Sequence, residues 1–173
     1  FFSAKHIPDE LNEGFEVTTF YDPKHGSWAA GAHVVAVDVD PETGLVEIAR
    51  YVAVEDVGRV INPAVVEGQI VGGIAQGVGE ALFEELVYDE IGQPRTVTLA
   101  DYLIPSALEI PKVELDHANT PSGALGAFKG CGEGSIIGAV GAIACAVRDA
   151  LARAGGDIEA FPASPERVLR GLG

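Results

Sequence analysis

The sequence has no methionine, one tryptophan and two cysteines, and its 11 basic residues are outnumbered by 26 acidic ones. Each scarcity excludes something. Cys131 and Cys145 are separated by an apolar, helix-like segment, so they form neither a disulfide framework nor a Cys-x-x-Cys pair. That usage points to a reducing, cytoplasmic compartment. The four histidines, His6, His25, His33 and His117, have no ligand spacing, which argues against a protein-ligated zinc. A net charge of −15 and a pI near 4.4 repel phosphates, which argues against nucleic acid and anionic membrane surfaces as partners. No stretch approaches the roughly 20 charge-free apolar residues of a spanning helix. The opening FFSAKHIPDEL lacks the basic and long apolar regions of a signal peptide. The missing methionine, with a start at Phe1, leads to the expectation of a processed, truncated or subcloned piece of something larger.

What is present suits a packed chain: 173 residues, 47% of them apolar, enough for one domain over residues 1–173. Residues 1–30 read as irregular. AHVVAVDV, 32–39, reads as a strand, DPETG, 40–44, as a turn, and LVEIARYVAVED, 45–56, as the return strand of a β-hairpin. After VGRVINP, residues 64–86 repeat Val66, Ile70, Ile74, Val78, Ala81 and Leu82 at helical spacing. The same segment carries Gly68, Gly72, Gly73, Gly77 and Gly79. Five interior glycines disfavour a helix by roughly 4–5 kcal/mol relative to alanine, so packing must build it. Their spacing leaves a bare backbone stripe that another helix or a ligand approaches closely, tight helix packing being the more frequent use.

Beyond residue 86 the pattern reads as a strand, a turn centred on Gly92, a second strand and a proline-bounded connection. KVELDHANT, 112–120, reads as another strand. A glycine-rich loop follows, then a long helix over 136–155 stopped by Gly155-Gly156, and a short last helix with Ser164 as N-cap, Pro165 at its first position and Arg167 exposed. The fold class is α+β.

The chemistry concentrates in GAFKGCGEGS, 126–135. Glu133 stands just before the long helix, where an acidic residue is favourable by about 0.3–1 kcal/mol through the helix dipole, a common use. A second use is open to it. Gly130, Gly132 and Gly134 remove side chains around it, so the backbone can approach a ligand and a carboxylate held there can act as general base. Lys129 solvates the loop or holds a phosphate. The loop is not a Walker A motif. Gln69 reads equally as an exposed polar residue or as a ligand contact. Cys131 lacks a nearby histidine to activate it as a nucleophile.

Two segments carry a resemblance. GRVINPAVVEGQIVGGIAQGVGEALFEELVYDEIG and GAFKGCGEGSIIGAVGAIACAVRDAL resemble the molybdopterin-binding large subunits of the xanthine dehydrogenase, aldehyde oxidase and carbon monoxide dehydrogenase family. YDPKHGSWAAGAHVVAVDVDPETGLVEI and SPERV fit in the same order, so the resemblance covers nearly the whole chain. It implies one lobe of a molybdenum-cofactor-binding domain, the C-terminal part of a large subunit. The cofactor it implies is molybdenum held by a pyranopterin dithiolene, with the cytosine dinucleotide form expected and no protein ligand to the metal. Iron–sulfur clusters and FAD are expected on other domains or chains, which with the remainder of the subunit and a small-molecule substrate are the implied partners.

By the same resemblance Glu133 is the base that deprotonates the metal's hydroxyl, whose oxygen then attacks an electron-poor carbon. Gln69 matches a pterin-contacting glutamine; Gly130, Cys131, Gly132 and Gly134 match the loop lining the cofactor, beside Lys129. Gly72 and Gly73 then face a large flat cofactor. Cys131 departs from the small apolar residue usual at its position. The family's subunit is several times longer than this chain, so the chain is not a complete enzyme. Two other readings stand beside this one: a non-catalytic scaffold or assembly domain that keeps the fold, and an unrelated acidic α+β domain. Purines, aldehydes, N-heterocycles and carbon monoxide all remain open as substrates.

Overall fold

The computed structural model describes residues 17–22 and 26–173. His6, His25 and most of the irregular segment expected over 1–30 lie outside them. The expected hairpin forms from β1 (Ala30–Val39) and β2 (Val46–Asp56). Its turn is set by local chemistry. The Asp40 carboxylate accepts from the Glu42 amide at 2.8 Å and the Thr43 hydroxyl at 2.7 Å, and Gly44 takes φ +73°. A Cβ at Gly44 would strike the Pro165 carbonyl, so the turn also seats the last helix.

The hairpin register steps from Ala36↔Arg50 to Val37↔Ile48, leaving Ala49 as an extra residue. This bulge reverses the parity of β2. Before it, Val46 and Ile48 lean inward; after it, Tyr51, Ala53 and Glu55 are buried while Val54 is exposed. β3 (Val113–Ala118) pairs with β2 in parallel, giving the order β1-β2-β3. The strands expected between 86 and 99 do not form. The Gly92 turn does, at φ +81° with Asp89 accepting from the Ile91 and Gln93 amides, but a single Tyr88↔Pro94 bridge is all the pairing there.

α1 (Pro63–Leu82) starts on Asn62, whose side chain accepts from the Val65 amide. It ends four residues short of the expected 86. The amides of Phe83 and Glu84 both turn back to the Gly79 carbonyl, and the Glu84 carboxylate, held by Tyr102 at 2.6 Å, fills the space beside the bare Gly79. α2 (Gly134–Arg153) packs on β1 and α1, and α3 (Pro165–Leu172) closes one end. Arg167 is not exposed as expected: it is half-buried, reaching Glu85 at 2.5 Å and the Pro162 carbonyl at 3.1 Å. α2 has the length and apolarity of a membrane span, but its Ala139, Ile143, Val147 and Leu151 are fully buried in the common core with α1 and the sheet.

The glycine penalty of α1 is outweighed here. Val66, Ile70, Ile74, Val78 and Leu82 are all buried, at about 1.5–3 kcal/mol each, against the roughly 4–5 kcal/mol of lost propensity. The stripe has two sides. Gly73 and Gly77 face α2, where a Cβ would lie 3.0 Å from the Ser135 Cβ and 2.5 Å from the Ala139 Cβ respectively. Gly68 and Gly72 face open space, with nothing within 4 Å. Gly77→Ala is therefore expected to destabilise by about 1–3 kcal/mol through overpacking, despite a propensity gain of up to about 1 kcal/mol. Gly72→Ala is expected to be neutral or stabilising. Denaturant midpoints of the two variants check this, and equal midpoints would contradict it.

Candidate functional site

The glycine-rich loop leads from the end of β3 to the start of α2 and packs beside the end of β2. Lys129 donates its amide to the Val57 carbonyl at 2.8 Å, and Gly58 bridges Phe128. Ala127 is held at φ +59°, a conformation that costs a non-glycine residue and persists because Arg59 grips its carbonyl at 2.9 Å.

Lys129 is committed to this anchor. Its Nζ lies 2.8 Å from Asp56 Oδ2 and 2.7 Å from the Thr120 hydroxyl. Both side chains of the pair are about nine-tenths buried. Asp56 also accepts from the Gly58 amide at 2.9 Å and from the Thr120 hydroxyl. The Lys129 ammonium, then Thr120 and Gly58, hold the Asp56 carboxyl well below the usual carboxylate range. Glu133 is thus not paired with the lysine nearest to it in sequence.

A carboxyl group depressed in the folded state stabilises above its unfolded value, about pH 3.9, and loses that contribution as pH falls through the folded value. Subunit stability is therefore expected to drop below about pH 4, and the drop should be shallower in Asp56→Asn. Denaturant midpoints at pH 7, 5 and 3 check this; parallel curves for the two proteins would contradict it.

Beyond Lys129 every second residue of the loop is glycine. A Cβ at Gly130 or Gly132 would meet nothing within 4 Å, and the amides of Gly130, Cys131 and Gly132 donate to no acceptor among the described residues. Glu133 is exposed and takes the N-cap position of α2, yet its side chain makes no capping hydrogen bond. A distant, buried acid also lies at this helix start. Glu55, 1% exposed, accepts the Ser135 hydroxyl at 2.9 Å, and its Oε2 lies 3.4 Å from where a Cβ on Gly134 would stand. Glu55 is held from behind by His33 Nε2 at 2.9 Å, and His33 Nδ1 lies 2.7 Å from the Tyr51 hydroxyl.

Burial, and secondarily the Glu55 charge, push the Tyr51 phenol above its ordinary value, so it stays a donor. The assignment that gives every donor one acceptor runs from the Tyr51 hydroxyl to His33 Nδ1, and from His33 Nε2–H to Glu55.

The sequence reading missed this network. Its signal is that His33 shares strand parity with the inward-leaning Val35 and Val37, a polar residue where an apolar one belongs.

Gln69 is exposed on α1, one turn from the open Gly72. Gly73 lies against α2. Half-buried Cys131 lines a cavity of about 250 Å³ with Val57, Ile61, Val65, Val66 and Phe128, between the loop and the first turns of α1. His117, in register with Glu55, has both ring nitrogens buried and unpaired among the described residues. Open glycine backbone and unpaired loop amides suit a large ligand rich in acceptors, and so fit a pyranopterin. Among the described residues no group of three or more His, Cys, Asp or Glu side chains is placed to hold a metal.

Comparison with known proteins is consistent with this fit. Residues 4–111 match the model of the molybdopterin cofactor-binding domain. The nicotine 6-hydroxylase large subunit of Paenarthrobacter nicotinovorans is 39% identical over 171 residues, 98% of this chain and 21% of that protein. The carbon monoxide dehydrogenase large chain of Afipia carboxidovorans is 37% identical over 147 residues, 84% of this chain and 18% of that one. The solved quinoline 2-oxidoreductase of Pseudomonas putida 86 superposes with a TM-score of 0.79 and 46% identity over 81% of this chain and 18% of its own. The chain spans about a fifth of the length of the curated relatives it matches.

Proposed function

Because the chain belongs to the molybdopterin-binding family of molybdenum hydroxylase and dehydrogenase large subunits, we propose that it is the lobe of such a subunit that carries the general base, and that Glu133 is that base. The observation that carries this reading is the idle cap. Glu133 stands at the N-cap of α2 but makes no capping bond, the buried Glu55 carboxylate lies at the same helix start, and the Glu133 carboxylate is left without a partner among the described residues at the mouth of a glycine-rich loop.

When bound, the molybdenum centre accepts the two electrons that leave the substrate carbon. The chain's own residues handle the proton and the cofactor's seat. Glu133 takes the proton of the attacking, water-derived oxygen onto its carboxylate. The loop backbone of Gly130, Cys131, Gly132 and Gly134, with the open Gly72 and the amide of Gln69, lies against the pterin, for which the cytosine dinucleotide form is the expected one. Lys129 holds the loop through Asp56 and is a cofactor contact by its backbone. The rest of the subunit, with iron–sulfur and flavin domains, completes the electron path. The lobe works as one domain.

The test is the molybdenum and pterin content of the whole purified subunit. About one of each per chain is expected, with occupancy lowered in Gly72→Ala although its fold is intact. A whole subunit that carries neither when expressed with cofactor synthesis favours the scaffold reading.

A further inference from the structure

We propose that Ser135 and Glu55 are positioning residues for Glu133: the buried bond between them fixes the first turn of α2 and so the direction in which the Glu133 carboxylate is presented. The proposal rests on the reading of Glu133 as the base.

The first turn of α2 is poorly supported by its own sequence. Gly134 is its first residue, Gly130 and Gly132 precede it, and the N-cap side chain makes no bond to it. A turn so constituted frays unless something outside the helix holds it. The hold observed is the 2.9 Å bond from the Ser135 hydroxyl to Glu55, with Ser135 3% exposed and Glu55 1% exposed.

The holder is itself fixed from several sides. His33 Nε2 reaches the same carboxylate oxygen at 2.9 Å, and Tyr51 orients His33. Three glycines clear the space. A Cβ on Gly31 would come within 2.6 Å of Glu55 Oε2, one on Gly134 within 3.4 Å of it, and one on Gly138 within 3.0 Å of the His33 ring. A buried polar cluster is weak evidence for stability, since apolar residues of like volume often serve as well. What such a cluster provides is a single geometry. Here that geometry ends two residues from Glu133, whose side chain has no hydrogen-bond partner of its own among the described residues and so takes its place from the backbone.

The experiment compares Ser135→Ala and Glu55→Gln in the whole, cofactor-loaded enzyme, by hydrogen exchange of the backbone amides and by steady-state kinetics. The expected result is exchange at least about tenfold faster in residues 130–137, with the last turns of α2 unchanged. With it, kcat should fall about tenfold and KM stay within about twofold, since only presentation of the base is disturbed. Unchanged exchange in 130–137 overturns the proposal. So does exchange that rises through both long helices together, which is a stability role alone, and so does an unchanged kcat with a faster-exchanging turn. If Glu55→Gln does not assemble, Ser135→Ala decides by itself. Glu133→Gln, run in parallel, separates the two readings. Retained turnover there removes the base assignment, while the exchange data still report whether Ser135 and Glu55 hold the turn.

Discussion

Glu133→Gln in the whole, molybdenum-loaded enzyme is expected to lower kcat by about 10²–10⁴-fold, the range general-base catalysis contributes. Folding should be untouched. The side chain is exposed and makes no capping bond, and surface changes of that kind fall within about 0.5 kcal/mol. Molybdenum content and denaturant midpoint should match wild type. The contrast is the informative part, because an acid that served the helix would show the opposite pattern, a modest loss of stability with turnover preserved. Turnover within about threefold of wild type would remove Glu133 from the chemistry.

Glu55→Ala is expected to cost about 3–5 kcal/mol of subunit stability, far more than any exposed acid could. The change strands two buried donors at once, the Ser135 hydroxyl and the His33 Nε2–H, at about 1–3 kcal/mol each, and opens a void where a fully buried side chain stood. A denaturant midpoint shift is the readout. A cost below about 1 kcal/mol would mean that water replaces the carboxylate, and that the cluster is wetter than its burial indicates.

The two acids mark what the sequence does and does not disclose. The place of Glu133 at the start of α2 is legible because everything that frames it is local: glycines on both sides and an apolar helix after it. The 40–44 turn is legible for the same reason, through Pro41 and Gly44. The last helix is legible in its cap, with Ser164 accepting from the Arg167 amide, although not in the Arg167 side chain, whose partner Glu85 lies 82 residues away.

Glu55 is illegible for a definite reason. Alternation counted from Val46 and Ile48 puts Arg50, Val52 and Val54 inside and Glu55 outside. The extra residue at Ala49 reverses that parity and turns Glu55 into the core. A bulge leaves no mark in a run of β-formers, so its consequence appears in three dimensions alone. The early end of α1 has a similar origin, since the apolar period continues past Leu82 and Glu84 breaks it by folding back over Gly79. The glycine stripe divides in the structure. Gly73 and Gly77 admit a helix and Gly68 and Gly72 leave a free face, a division that spacing alone cannot make.

The family resemblance adds the cofactor, which periodicity and composition do not contain. The lobe's acidic balance, scarce cysteine and empty loop are compatible with it, but none of them names a metal.

The most direct measurement is a crystal structure of the assembled, molybdenum-loaded subunit, with the metal located by its anomalous scattering. The account predicts the Glu133 carboxylate in hydrogen-bond contact, about 2.6–3.2 Å, with a group on the molybdenum, and the Ser135–Glu55 bond intact behind it. A Glu133 side chain turned into solvent, with the loop and the metal on opposite sides of α2, would contradict it.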